Sequence, residues 1–296
     1  PMTEVTVVPG ATAGLYAAIN ALVHAGEEVI VLEPCYDSYI PSIIMAGATP
    51  VRYKMKFPGY HIDWEEVKSL INARTRMIMI NTPHNPTGSI LTSADILALE
   101  KIVSGTDIIV LSDEVYEHII FDHEQHQSIS AYPTLSEQSI MVASFGKTFH
   151  TTGWRVGYVL APAALMKEIR KVYQFIAFST STPMQHALAA YLDHKEAYLG
   201  LSAFFEAKRN NFRNMIKDSR FTLLPSRGSY FQCATYERIT DEADHELAIR
   251  LTKEYKVATI PVSAFYQDGT DHHVLRFCFG KKDETLEKAA EILCRI

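Results

Sequence analysis

Cysteine is scarce and scattered. Cys35, Cys233, Cys278 and Cys294 are the four in 296 residues, and no two stand in C-x-x-C spacing. Neither a zinc site nor a disulfide framework is suggested, and reduced thiols in a reducing compartment fit best. No apolar run reaches the roughly 20 residues of a membrane helix, and no basic-then-apolar leader opens the sequence. The expectation is a soluble, cytoplasmic protein with no membrane partner. Positive charge is not massed either: the net charge is −6, with Lys and Arg dispersed, so nucleic acid is not an expected partner. The glycines of Gly10-Ala11-Thr12-Ala13-Gly14 match neither G-x-G-x-x-G nor a P-loop, which removes the main support for nucleotide binding. Repeats and low-complexity segments are missing, which sets solenoid and linker readings aside. One stretch, His123-Glu124-Gln125-His126, is a residue short of H-E-x-x-H and lies among polar residues. It reads as a solvated loop, and no metal is expected.

What remains is ordinary globular composition, 47% hydrophobic and 21% charged, at a length that suits two domains or one large domain with an appendage. Short β-branched runs without strict alternation, at 5–8, 29–32, 77–80, 108–111, 140–142 and 156–160, predict strands buried on both faces, as in a parallel sheet. Helical stretches at 12–25, 92–103 and 162–175 lie among them, which is βαβ punctuation and hence an α/β fold. After about residue 190 the texture changes. A long polar helix through 204–213, strands near 221–224, 230–234 and 274–279, and helices over 241–255 and from 283 predict a smaller α+β domain. The expected division is 1–190 and 191–296. Residues 3–8 already read as a strand feeding a helix, with nothing before them to cover its edge, so an N-terminal arm preceding Pro1 is expected to be missing from this sequence.

In an open parallel sheet, ligands bind beyond the carboxyl ends of the strands. Those exits here carry Gly10-Ala11-Thr12, Pro34-Cys35-Tyr36, Asn81 with Asn85, Asp113 with Tyr116, and Ser144 with Lys147. An aldehyde cofactor with a phosphate and a pyridine ring would need such a set: an amine for a Schiff base, a carboxylate for the ring nitrogen, phosphate ligands at a helix start, an aromatic face, and donors to a phenolic oxygen.

Three segments then carry a resemblance. They are Pro83-His84-Asn85-Pro86-Thr87-Gly88, Ser112-Asp113-Glu114-Val115-Tyr116, and Ser144-Phe145-Gly146-Lys147-Thr148 followed by Gly153-Trp154-Arg155-Val156-Gly157. Together they closely resemble the signatures of fold type I aminotransferases that use pyridoxal 5′-phosphate. The chain looks most like the branch of methionine, kynurenine and glutamine-phenylpyruvate aminotransferases, and Leu275-Arg276-Phe277 matches that family's late carboxylate-binding motif. The resemblance implies that Lys147 carries the cofactor as a Schiff base and then shuttles the substrate's α-proton. It implies that Asp113 pairs with the ring nitrogen, with Ser112 left to cap the turn, and that Tyr116 and Asn85 donate to the phenolic oxygen. Tyr36 would stack on the ring. Ala11, Thr12, Ser144 and Arg155 would hold the phosphate, Asn81 would lie close by, and Arg276, with Asn85 near it, would bind the substrate carboxylate.

The implied partners are an amino acid and a 2-oxo acid, with a second copy of the chain as a homodimer. A large neutral L-amino acid is expected as donor, because no second arginine sits in a recognised motif; Tyr36, Phe149 and Tyr230 are candidate pocket walls. Two other readings use the same residues. One is a β-lyase acting on cysteine S-conjugates, and the other is an aminotransferase-like sensor domain of a transcription regulator.

Overall fold

The structure is a computed structural model, and it describes residues 2–296. Seven strands form the large sheet: β1 (Val5–Val8), β2 (Glu28–Glu33), β3 (Thr49–Lys54), β4 (Thr75–Asn81), β5 (Ile109–Asp113), β6 (Ser139–Ser144) and β7 (Gly157–Leu160), in the order β1-β7-β6-β5-β4-β2-β3. Strands β3, β2, β4, β5 and β6 are parallel. Strand β7 runs antiparallel to both β6 and β1, so it alone is reversed.

The apolar runs explain the layering. Every residue of β2, β5 and β6 is buried, and alternate side chains enter opposite cores. Val29, Val31, Met77, Met79, Ile140 and Val142 face helices Ala11–Leu22 and Ala163–Ile176, while Ile30, Ile78, Ile80, Val110 and Met141 share a core with helix Ser93–Val103. That last helix opens on a capping box: the Thr92 hydroxyl accepts from the Asp95 N–H, and the Asp95 carboxylate accepts from the Thr92 N–H.

The second sheet is antiparallel: β8 (Thr222–Leu223), β9 (Phe231–Thr235), β10 (Ile260–Pro261) and β11 (Val274–Cys278), in the order β10-β11-β9-β8. Ala234, Leu275 and Phe277 join the core built with helices Leu201–Met215 and Asp283–Leu293. Cys233 and Val274 turn the other way, into the core shared with the large sheet.

Two expectations are corrected in detail. The helix expected over 241–255 is helical only from Asp244 to Arg250, continues as a π turn, Leu251–Tyr255, and stops at Lys256, whose φ is 62°. Strand β3 goes unpredicted because it is an edge strand containing Pro50 with only Tyr53 buried, so it lacks the apolar run that marks its neighbours.

Candidate active site

The direction of the strands gathers the chemistry. Six strands end at one edge of the sheet, and reversed β7 begins there. Ala11 (after β1), Tyr36 (after β2), Asn81 and Asn85 (end of β4), Asp113 and Tyr116 (end of β5), Ser144 and Lys147 (end of β6) and Arg155 (before β7) therefore meet. All of these, with Thr12 and Arg276, line one cavity of about 470 Å³. The residues expected to hold the cofactor and the substrate carboxylate are thus brought to one cavity, whereas Phe149 and Tyr230, expected as pocket walls, are not among its lining. The cavity's other side comes from the second sheet, through Phe231, Ile260 and Arg276, and from Ala264 and Phe265 in the 3-10 turn after β10.

Two glycines make the edge close enough. At Gly10 φ is 89°, and a Cβ there would lie 2.5 Å from Nη2 of Arg155. At Gly157 a Cβ would lie 2.6 Å from the carbonyl of Ala143 and 3.0 Å from the N of Ala11. Helix Ala11–Leu22 begins directly after Gly10 with no capping side chain, and the positive end of its dipole meets the cavity beside the Arg155 guanidinium. The side chain of Ser144 caps no helix, and the residue is buried against the same space.

Asp113 is buried and accepts two hydrogen bonds, from the hydroxyl of Tyr39 at 2.6 Å and from the N–H of Val115 at 3.2 Å. Burial pushes its carboxyl up to about 6, against the pull of those donors and of Lys147. Asn81 braces two strand ends: its amide donates to the carbonyl of Asp113 at 2.8 Å, and its oxygen accepts from the N–H of Asn85 at 2.8 Å. The Lys147 amine donates to the hydroxyl of Tyr230 at 2.9 Å. It also lies over the rings of Tyr116 and Tyr230, 5.7 and 5.6 Å from their centroids. Burial holds the Tyr116 phenol protonated well above its ordinary range.

Arg276 donates from Nη1 to the side-chain oxygen of Asn85, and its guanidinium carbon stands 4.0 Å from the centroid of Phe231 and 5.0 Å from that of Phe265. Its Nε is buried without a partner, and no ion pair with a carboxylate is formed among the described residues. Desolvation draws its pKa down. A cation in this setting lacks the anion that would compensate it.

Several expectations change. Ser112 does not cap the turn; its hydroxyl donates to Glu114 at 2.9 Å, and Asp113 itself accepts from Val115. The loop at 123–126 is not wholly solvated, since His126 is half-buried with Nε2 2.7 Å from a Glu114 carboxylate oxygen; no metal-ligand cluster occurs among the described residues. Phe149 packs on Phe145 and Tyr191, away from the cavity, whereas Tyr36 lines it and Tyr230 reaches Lys147. Tyr39 and Asp37 were missed. Both lie in the run Tyr36-Asp37-Ser38-Tyr39 after the exit of β2; that position could have flagged Asp37, which lines the cavity, whereas Tyr39 is tied to the site only by its hydrogen bond to Asp113.

Comparison with known proteins agrees with this geometry. The family described as "Aminotransferase class I and II" matches residues 1–293. The chain is 46% identical over 292 residues to the methionine aminotransferase of Escherichia coli (strain K12), covering 98% of this chain and 76% of that protein. The crystal structure of YbdL from Escherichia coli, whose reactivity identified a methionine aminotransferase function, superposes with a TM-score of 0.98 at 45% identity, over 100% of this chain and 78% of that one. N-succinyldiaminopimelate aminotransferase from Mycobacterium tuberculosis superposes with a TM-score of 0.94 at 34% identity, over 100% of this chain and 78% of that one. With its lysine, aspartate and arginine gathered at one strand edge, this chain belongs to the class I and II aminotransferases and is an aminotransferase.

Proposed function

We propose that this aminotransferase uses pyridoxal 5′-phosphate, held in the cavity at the sheet edge, to move the amino group of a large neutral L-amino acid to a 2-oxo acid. The observation that carries the reading is the pairing of an amine, Lys147, and a buried carboxylate, Asp113, with an uncompensated cation, Arg276, around a single cavity. The residues present fit the cofactor. The uncapped helix start at Ala11 and Thr12, the Ser144 hydroxyl and the Arg155 guanidinium form a cradle for a phosphate, narrowed by the missing Cβ of Gly10. Tyr36 offers an aromatic face, and Tyr116 and Asn85 offer donors.

When bound, pyridoxal phosphate supplies an aldehyde that condenses with amines and a ring that accepts the electron pair left by a departing α-proton. The chain's own residues do the rest. Asp113, ionised, would hold a proton on the ring nitrogen, and that neighbouring cation would in turn favour the charged carboxylate against the upward push of burial. Lys147 anchors the cofactor through its amine and, once freed, takes and returns the α-proton, with the Tyr230 hydroxyl fixing the position of Nζ. Arg276, oriented by Asn85, takes the α-carboxylate.

The substrate side chain meets Tyr36, Val115, Phe231, Ile260, Ala264 and Phe265. Lys147 and Arg155 are the other cations of the cavity lining, and both serve the cofactor, so a side-chain carboxylate finds no counter-charge. The kinship with the Escherichia coli methionine aminotransferase supports the same donor class. A homodimer is proposed as well, supported by the exposed Phe175 and Phe178, 86% and 84% accessible at the end of one helix; its signature is sedimentation at twice the chain's mass.

Lys147→Ala is expected to lose turnover and the borohydride-trapped cofactor adduct that the unmodified chain gives. Among donors, methionine, glutamine or phenylalanine should exceed aspartate in kcat/KM. A variant that still traps cofactor on a lysine would refute the assignment of Lys147, and aspartate leading the series would refute the substrate class.

A further inference from the structure

We propose that Tyr39 is a positioning residue whose hydroxyl keeps Asp113 ionised and fixed; the role rests on the cofactor reading above. Asp113 has two donors of unequal kind. The Val115 N–H belongs to the turn itself, is long at 3.2 Å, and would persist with almost any side chain nearby. The Tyr39 hydroxyl, at 2.6 Å, is a short charge-assisted bond reaching Oδ2 from an element 74 residues earlier in the chain.

Tyr39 is held for this task. It is 3% exposed, begins helix Tyr39–Met45, belongs to the core under the large sheet, and meets Tyr36 edge-on at 5.7 Å. The groups facing the pair are few. Lys147 favours the ionised carboxylate and Glu114 opposes it, while Asp113, Cys35 and Tyr36 surround the phenol. Burial and those neighbours push the ionisation of Tyr39 far above its ordinary range, so it remains a donor wherever Asp113 is charged. Without that donor, one oxygen of a buried carboxylate would have no hydrogen-bonding side chain, and the neutral form would gain.

The test compares the full-length chain with Tyr39→Phe, and with a form carrying 3,5-difluorotyrosine at 39, whose more acidic phenol is a stronger donor in the same shape. Two quantities are read against pH: kcat/KM, and the dissociation constant for pyridoxal phosphate from equilibrium dialysis. In the unmodified chain, both worsen as pH falls through the titration of Asp113. Tyr39→Phe should move that fall upward by about one unit, and the fluorinated form should move it downward. In an Asp113→Asn background, Tyr39→Phe should add nothing. If both Tyr39 forms bind cofactor with the pH dependence of the unmodified chain, Tyr39 only packs, and the proposal is overturned while the cofactor reading stands. If the unmodified chain does not bind pyridoxal phosphate, the cofactor reading fails first and takes this role with it.

Discussion

At the scale of single residues, the site stores an electrostatic conflict. Asp113 is ionised most easily in water, yet the fold buries it and raises its pKa from 3.8 to about 6. The sign follows from linkage. A carboxyl whose folded pKa lies above its unfolded value favours the fold when protonated, so its contribution is present at low pH and is lost as pH rises through about 6. In cofactor-free protein at pH 8, Asp113→Asn should therefore be more stable, by on the order of 3 kcal/mol, even as turnover collapses. Denaturant unfolding of the two forms at pH 8 checks this, and an equal or lower midpoint for the variant would contradict the burial argument. Arg276 carries the matching conflict in the opposite charge, with its Nε buried and unpartnered. The identities of these two residues were legible in the sequence, because a charge inside an apolar run or at a strand exit stands out. Tyr39 was not legible. A tyrosine six residues beyond the end of β2 looks like any core aromatic until the third dimension places it against Asp113.

Secondary-structure elements aim these groups, and the turn from β1 into helix Ala11–Leu22 is the most demanding. Gly10 combines φ 89° with a guanidinium 2.5 Å from where a Cβ would stand. Gly10→Ala is expected to weaken pyridoxal phosphate binding about tenfold through displacement of Arg155, and separately to lower stability by roughly 1 kcal/mol or above through backbone strain. Fluorescence titration with the cofactor measures it, and unchanged affinity would mean that Arg155 does not hold the phosphate. The four central strands β2, β4, β5 and β6, buried or nearly so, were readable because their apolar runs leave few other options, while β1 and β7, expected to be buried on both faces, are only partly so. The reversal of β7 was not, since antiparallel and parallel neighbours bury the same residue types. Two-residue β10 was too short to leave a pattern, although its Ile260 lines the cavity.

For the molecule as a whole, we propose that the division near residue 190 separates the part that holds the cofactor from the part that reads the substrate carboxylate. The two parts do not have separate interiors. Leu224, Cys233, Val262 and Val274 from the later part sit in one core with Ile30, Ile78 and Met141 of the large sheet. A second link runs through residue 228, where a Cβ would lie 2.7 Å from Pro83 and 2.9 Å from the Ile119 carbonyl, and where Gly228 bridges to Ile120. Calorimetry gives this interlocking its measurable form: neither part can melt while leaving the other's interior dry. Heating the cofactor-free chain should give one endotherm whose calorimetric and van't Hoff enthalpies agree, instead of two resolved peaks. Two peaks would show that the arginine-bearing sheet can detach, and the cleft would then be a hinge between independent bodies. One peak would mean that the substrate-reading wall stands on the same cooperative foundation as the lysine it serves.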